Sequence, residues 1–266
     1  MKKFLLSLVF VAFSMGYSQQ VIKVGTILDN APFSYVYENT LKGIDIELTE
    51  AIIKRLGIDY KADFVTMDFS NLFSAVDSES IDFAIATISM TQDRIKNYDF
   101  STSYFQSGIM FITRSDNLEL LTKDDLQGKV IAVHMKNSRQ ERLAKSILNT
   151  KVISSDSLVN VMILVKSRRA DALLIDSVNS PIVLNSKFEF LSDLDKTSLD
   201  FLKQLGEDAK LTAFYIEADN DSRLGILFKK GAKTELREKI NQIIEEFKND
   251  GTIQRILGKY HIGQSK

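Results

Sequence analysis

Apolar positions along the chain alternate between two rhythms. Residues 21–28 (VIKVGTIL) have the β-branched, apolar character of a strand, and GIDIELTEAIIKRLG follows with Ile44, Leu48, Ala51, Ile52 and Leu56 at helical spacing, closed by Gly57. Tyr60, Ala62 and Phe64 then alternate as a strand does, Leu72, Phe73 and Val76 recur as a helix does, and IDFAIATIS is a nearly continuous apolar run suited to a strand covered on both faces. The same rhythm restarts further on. GKVIAVH predicts a strand, 139–148 a helix, 151–153 a short strand, 158–166 a helix, ADALLID a strand, and 178–184 a helix with Pro181 near its first turn. LGILFKKG predicts one more strand. An amphipathic helix with Leu236, Ile240, Ile243, Ile244 and Phe247 follows it, then Gly251 and a last short helix through Ile256.

Two runs of alternating strands and helices predict two α/β lobes, because parallel strands need helical crossovers. The boundary between the runs falls near 106–114. The predicted architecture is two doubly wound lobes joined by a two-strand hinge with a ligand cleft between them: 19–110 and 228–266 in lobe 1, 111–227 in lobe 2.

The first twenty residues change the picture of where this chain works. Lys2 and Lys3 precede a greasy run over 4–13 that ends in the small-x-small triplet Gly16, Tyr17, Ser18, the pattern of a cleaved signal peptide over 1–18. The run is too short for a bilayer-spanning helix, which needs about 20 apolar residues. The expected location is periplasmic, with about 248 residues left after cleavage. The chain has no cysteine, which excludes disulfides, thiolate metal sites, cysteine nucleophiles and a lipid-modified cysteine together. Loss of Lys2 and Lys3 takes the formal net charge from −1 to −3, and the remaining lysines are spread among carboxylates, so nucleic acid is not an expected partner. The only histidines, His134 and His261, lie far apart, and no metal site or cofactor is expected. No G-x-S-x-G, P-loop or dinucleotide fingerprint is present.

The stretch TISMTQDRIKNYDFSTSYF holds the most specific signal: Ser89, Thr91 and Arg94 form S-x-T-x-x-R, followed five residues later by Asp99, Phe100 and Ser101. With it stand APF (31–33), LKGIDIELTEAI, MDFSNLFSAV, DLQGKVIAV, an R-x-D-A-x-x-x-D pattern ending at Asp176, and the C-terminal LGILFKKGAKTELREKINQIIEEFKNDGTIQRILGKY. In this order the motifs resemble the periplasmic amino-acid-binding proteins of ABC importers, over residues 21–260. The resemblance implies a monomeric, non-enzymatic binding protein that holds a polar α-amino acid between closing lobes and delivers it to a membrane permease.

It also implies roles for residues. Arg94 would take the ligand α-carboxylate, since its planar fork of donors matches a carboxylate; from spacing alone, a surface pair with Asp93 or Asp99 is the alternative. Ser89 would add its hydroxyl and N–H, and Thr87 would meet the ammonium together with Asp176, which ends an apolar run where α/β sheets place ligands. Helix capping is the alternative for Asp176. Phe69 falls where the family stacks a ring on the ligand, with a core position as the alternative, and Ser138 would supply an N-terminal N–H and hydroxyl.

Several positions depart from the family pattern. Lys136 replaces a glycine and either points to solvent or meets an acidic ligand side chain; Asn30 replaces an aromatic ring before APF; Ile27 replaces a frequent acidic residue; Ser103 replaces a proline. The segment 193–221 is longer than the family leads one to expect and has no assigned structure. Two other functions on the same fold stay open at this point, a secreted cyclohexadienyl-type dehydratase and a ligand-sensing module for a receptor.

Overall fold

Strands and helices alternate as the periodicity predicts and assemble into two lobes, each on a five-stranded sheet. The computed structural model describes residues 19–185, 196–205, 209–217 and 222–262, so residues 1–18, where a signal peptide is expected, lie outside the described residues. In the first lobe Gln20–Thr26 lies between Tyr60–Thr66 and Phe83–Ala84, parallel to both, and Leu227–Lys229 joins antiparallel with Tyr98–Phe100 beyond it. In the second, Val130–His134 lies between Lys151–Ser155 and Ala172–Asp176, again parallel, with Ile109–Arg114 antiparallel between Ala172–Asp176 and Leu211–Glu217.

The antiparallel strands follow from how the chain crosses. It leaves the first lobe through Phe105–Gln106 and returns through Arg223–Leu224, which pair antiparallel to each other. The crossing at Gly108 is tight: a Cβ there would lie 2.7 Å from the Glu217 carbonyl oxygen. Strand pairing puts Ile109 and Met110 in the second sheet and Leu227 in the first.

Three expected elements differ. Only Phe83–Ala84 of IDFAIATIS pairs as a strand, although Ile81, Phe83, Ile85 and Ile88 are all buried as the run predicts. The chain turns instead at Thr87, whose φ of +48° leaves the extended region. LGILFKKG divides around Gly225 into Arg223–Leu224 and Leu227–Lys229, because its halves serve the crossing and the first sheet separately. The 178–184 helix begins as the 3₁₀ turn Ser177–Asn179 and continues as Ser180–Leu184, with Pro181 in its first turn. The segment left unassigned contains the helix Lys196–Gln204 and the strand Leu211–Glu217, while 193–195, 206–208 and 218–221 lie outside the described residues. A small antiparallel sheet of Asp29–Asn30, Ser34–Tyr37 and Thr40–Lys42 had no periodic signal, its strands being two to four residues long.

Core burial follows the helical stripes. Leu48 and Ile52 from Ile44–Leu56, and Ile240 and Ile244 from Thr234–Asn249, close over Ile22, Val24, Phe83 and Phe228 of the first sheet. Val161, Met162 and Val165 from Leu158–Lys166 cover Ala132, Leu173 and Ile175 of the second. Each such side chain contributes about 1.5–3 kcal/mol when fully buried. The lobes also exchange residues: Val178 packs into the first core, and Ala31 and Tyr35 into the second. The lobes are therefore closed on each other.

Candidate functional site

The carboxyl ends of the parallel strands meet at the gap between the lobes, the place where open α/β sheets hold ligands. A groove of about 440 Å³ runs there, walled by Ile27, Asp29, Asp68 and Phe69 from one lobe and Met135 and Asp156 from the other. Deeper in, polar side chains are buried in both lobes.

Arg94 is positioned by a short helix. Thr91 precedes Gln92–Asn97, and its Oγ1 accepts the Arg94 N–H at 3.4 Å. The guanidinium turns inward to 7 % exposure and lies over the rings of Phe73 and Phe69, 4.8 and 5.4 Å from their centroids. Its Nη1 donates to the Ser89 carbonyl at 3.1 Å, and its Nη2 donates across the gap to the Asn137 carbonyl at 2.9 Å. Two ring faces and two carbonyls hold the planar cation in one orientation. Asp93 and Asp99, its alternative partners, are engaged elsewhere, Asp93 with Lys96 and Asp99 with Lys230 and Arg237.

Asp176 ends the strand Ala172–Asp176 in the opposite lobe and is 3 % exposed. Its side chain makes no capping bond to the following turn, and its Oδ1 has no hydrogen-bond partner among the described residues. Burial pushes its carboxyl up to about 6, against the stabilising charge of Arg139, a bond from Gln140 and the charge of Arg94. The carboxyl stays raised even with Arg139 and Gln140 beside it, so a further cation at the site would favour its charged form.

Thr87 takes the left-handed conformation, which costs a β-branched residue of order 1–3 kcal/mol and is held only where the surroundings impose it. Here its N–H donates to Asp45 Oδ2 at 3.0 Å and its hydroxyl accepts from Asn30 Nδ2 at 2.9 Å. Ser89 is buried and forms a lone bridge to Leu224 beside the crossing strand. Phe69 is 3 % exposed, packs edge-on against Phe73, and borders both the guanidinium and the groove.

Across the gap, Ser138 caps the helix Arg139–Ser146, its Oγ accepting the Glu141 N–H at 3.1 Å. Glu141 Oε2 in turn accepts the Asn137 N–H at 2.7 Å. The turn leading to this helix has positive φ at Met135 and Asn137, on either side of Lys136. Lys136 is exposed, and its N–H donates to Asp156 at 3.3 Å. Asn30 is fully buried, bonded to Thr87 and to Asn179.

Other buried polar groups carried weaker signals. Arg139 is 6 % exposed and donates to the Ser107 carbonyl at the crossing, at 3.2 Å. It follows Ser138 directly, and nothing in its spacing marks it. His134 is buried at a strand end, and burial lowers it to about 4 although backbone bonds with Asp156 and Asp29 act the other way. Asp45, within the G-I-D motif, is fully buried. Burial raises its carboxyl to about 7, while the Tyr104 hydroxyl and the Thr87 N–H act the other way. A carboxyl raised in the folded state stabilises the fold below its unfolded value near 4 and loses that contribution as pH rises to about 7. Asp45→Asn is therefore expected to gain stability over wild type as pH rises from about 4 to about 7, by up to about 4 kcal/mol, with no further change above. Chemical denaturation at pH 5 and pH 8 measures the difference.

Among the described residues no cluster of His, Cys, Asp or Glu is arranged to hold a metal, and no helix is long and apolar enough to cross a membrane. The profile of bacterial extracellular solute-binding proteins, family 3, matches residues 22–264. The chain belongs to that family. A curated relative of this solute-binding protein is the probable histidine-binding protein of Campylobacter jejuni, 30% identical over 91% of this chain and 85% of its own length. The L-cystine-binding protein of Escherichia coli is 26% identical over 86% of this chain and 78% of its own. Among solved structures, an ancestral arginine-binding protein bound to arginine superposes with a TM-score of 0.74 at 31% identity, covering 91% of this chain and 98% of that one. These relatives are named as binding proteins and not as enzymes, which supports a binding role for this family member.

Proposed function

We propose that this solute-binding protein captures an α-amino acid between its lobes and hands it to the permease of an ABC importer. The observation that carries the reading is a pair of buried opposite charges on opposite lobes, Arg94 and Asp176; Arg139 does most to hold the Asp176 charge, and Arg94 adds to it from across the gap. That arrangement complements a zwitterion. Arg94 takes the α-carboxylate, with Ser89 beside it; Asp176 takes the ammonium, with the Thr87 carbonyl. Because the two charges belong to different lobes, a ligand that bridges them stabilises the closed form. Phe69 forms the floor between this clamp and the groove, and Ser138 sets the N-terminus of the opposing helix.

The ligand side chain extends into the groove, whose walls carry Asp29, Asp68 and Asp156. Burial first, and then the Asp68 and Glu141 charges, raise the Asp156 carboxyl against the N–H and charge of Lys136, so the groove sets three carboxyl groups against this one lysine. A basic side chain fits that balance, and two of the relatives are named for histidine and arginine. Lys136, exposed at the rim, is then a solvent-facing residue with no role in ligand selection. The lobes divide within the crossing segments, before Ile109 and before Leu227. The protein acts as a monomer in the periplasm after removal of residues 1–18.

A thermal-shift screen of residues 19–266 against the common amino acids tests this reading. At 1,000 times its dissociation constant a ligand adds about 4 kcal/mol, which moves the midpoint of a protein this size by roughly 8–16 °C. Arginine, lysine or histidine is expected to give that shift and glutamate none. A screen in which no amino acid moves the midpoint would end the proposal.

A further inference from the structure

Asn30 stands where the resembling proteins carry an aromatic ring, and it is joined to the opposite lobe. We infer that Asn30 and Asn179 form an interlobe latch that favours closure without contacting the ligand, which makes Asn179 a positioning residue for capture. Asn179 lies on the turn Ser177–Asn179, directly after the strand that ends at Asp176, and is 1 % exposed. Its Nδ2 donates to Asn30 Oδ1 at 3.1 Å and to the Ala31 carbonyl at 2.5 Å, both in the first lobe. Asn30 Nδ2 passes the relay on to Thr87 Oγ1 at 2.9 Å, and the Thr87 N–H ends it on Asp45 Oδ2 at 3.0 Å. Each donor in this relay points the same way, from the second lobe toward the buried Asp45 carboxyl.

Apolar packing seals the relay on both sides. Ala31 and Tyr35, on the small antiparallel sheet, are buried in the second lobe's core, and Val178, next to Asn179, is buried in the first lobe's core. Hydrogen bonds in such a water-poor setting are strong when made and expensive when broken without replacement. Opening the lobes separates Asn179 from both acceptors and exposes Val178 and Ala31 to water. An aromatic ring at position 30 offers no acceptor for Asn179, so the asparagine exchanges a ligand contact for a lobe contact. The same residue holds Thr87 in its left-handed turn, which ties lobe closure to the backbone that faces the ligand ammonium.

A ligand that binds only the closed form has an apparent affinity set by the closed fraction, so the latch raises affinity for every ligand by one factor. The closure claim stands independently of which ligand binds; the affinity arm rests on the amino-acid reading. Small-angle scattering of ligand-free wild type, Asn179→Ala and Asn30→Ala reads closure directly. Both variants are expected to show a larger radius of gyration than wild type. With the amino acids found in the screen, each variant is expected to raise Kd roughly tenfold by the same factor for all of them, and the double variant to fall short of the product of the two single effects, because the two residues share one bond. Scattering curves that superimpose on wild type would overturn the latch, as would a change confined to one ligand, the mark of direct contact. Should wild type bind no amino acid, the functional reading fails and scattering still decides the latch. If Asn179→Ala does not fold, Asn30→Ala carries the same comparison.

Discussion

Replacing Arg94 with alanine is expected to weaken amino-acid binding about 10²–10⁴-fold while leaving the far-ultraviolet spectrum unchanged. Two charge-assisted hydrogen bonds from a fixed guanidinium to a desolvated carboxylate are each worth about 1.5–3 kcal/mol, and both are lost together. The guanidinium is held by the faces of Phe69 and Phe73 and by the Ser89 and Asn137 carbonyls, so little side-chain freedom remains to be given up on binding. Arg94→Lys separates charge from geometry. A lysine keeps the cation but presents no planar fork, and an intermediate loss of roughly tenfold is expected. Calorimetric titration of both variants measures the ratio. An Arg94→Ala protein that binds as tightly as wild type would remove Arg94 from the site and leave it as an interlobe strut to Asn137.

The second large effect belongs to Asp176. Removing one partner of a buried ion pair leaves the other uncompensated, at about 3–5 kcal/mol. Asp176→Asn is therefore expected to weaken binding of an α-amino acid by about 10²–10³-fold at pH 8. Its pH dependence is more diagnostic. In the free protein burial holds this carboxyl near 6, and a bound ammonium would favour its charged form. Ligand binding then releases a proton below pH 6, so wild-type affinity falls as pH falls, approaching tenfold per pH unit. Asp176→Asn is expected to show a shallower profile over the same range. Asp45 titrates in both proteins and does not alter the difference between them. Parallel slopes in the two proteins would assign the pH dependence to another group.

Much of the fold was legible because its signals are local. The helices Ile44–Leu56, Leu158–Lys166 and Thr234–Asn249 each bury a stripe that their spacing announces, and Val130–His134 and Ala172–Asp176 are the uninterrupted apolar runs of covered parallel strands. What was not legible depends on contacts between distant residues. The apolar run at 81–88 gives no hint that Thr87 leaves the strand, since that turn is imposed by Asp45 and Asn30, 42 and 57 residues away. The division of LGILFKKG is set by which sheet each half meets. At the site, Arg94, Ser89, Thr87, Phe69, Asp176 and Ser138 come together between the lobes, and Asn30 lies beside them turned toward Asn179. Asn179, Arg139 and Tyr104 escaped notice because each acts through a partner in another part of the chain. Lys136 drew attention as a replaced glycine, whereas the positive φ values fall on its neighbours Met135 and Asn137.

The claim that Arg94 and Asp176 clamp the two ends of one zwitterion is tested most directly by calorimetry with three compounds: the preferred L-amino acid, its carboxamide, and its deaminated acid. A charge clamp predicts that wild type prefers the amino acid over both analogues by at least 10²-fold. It also predicts that Arg94→Ala loses the preference over the carboxamide while keeping the preference over the deaminated acid. Equal affinity of wild type for the amino acid and its carboxamide would contradict the clamp.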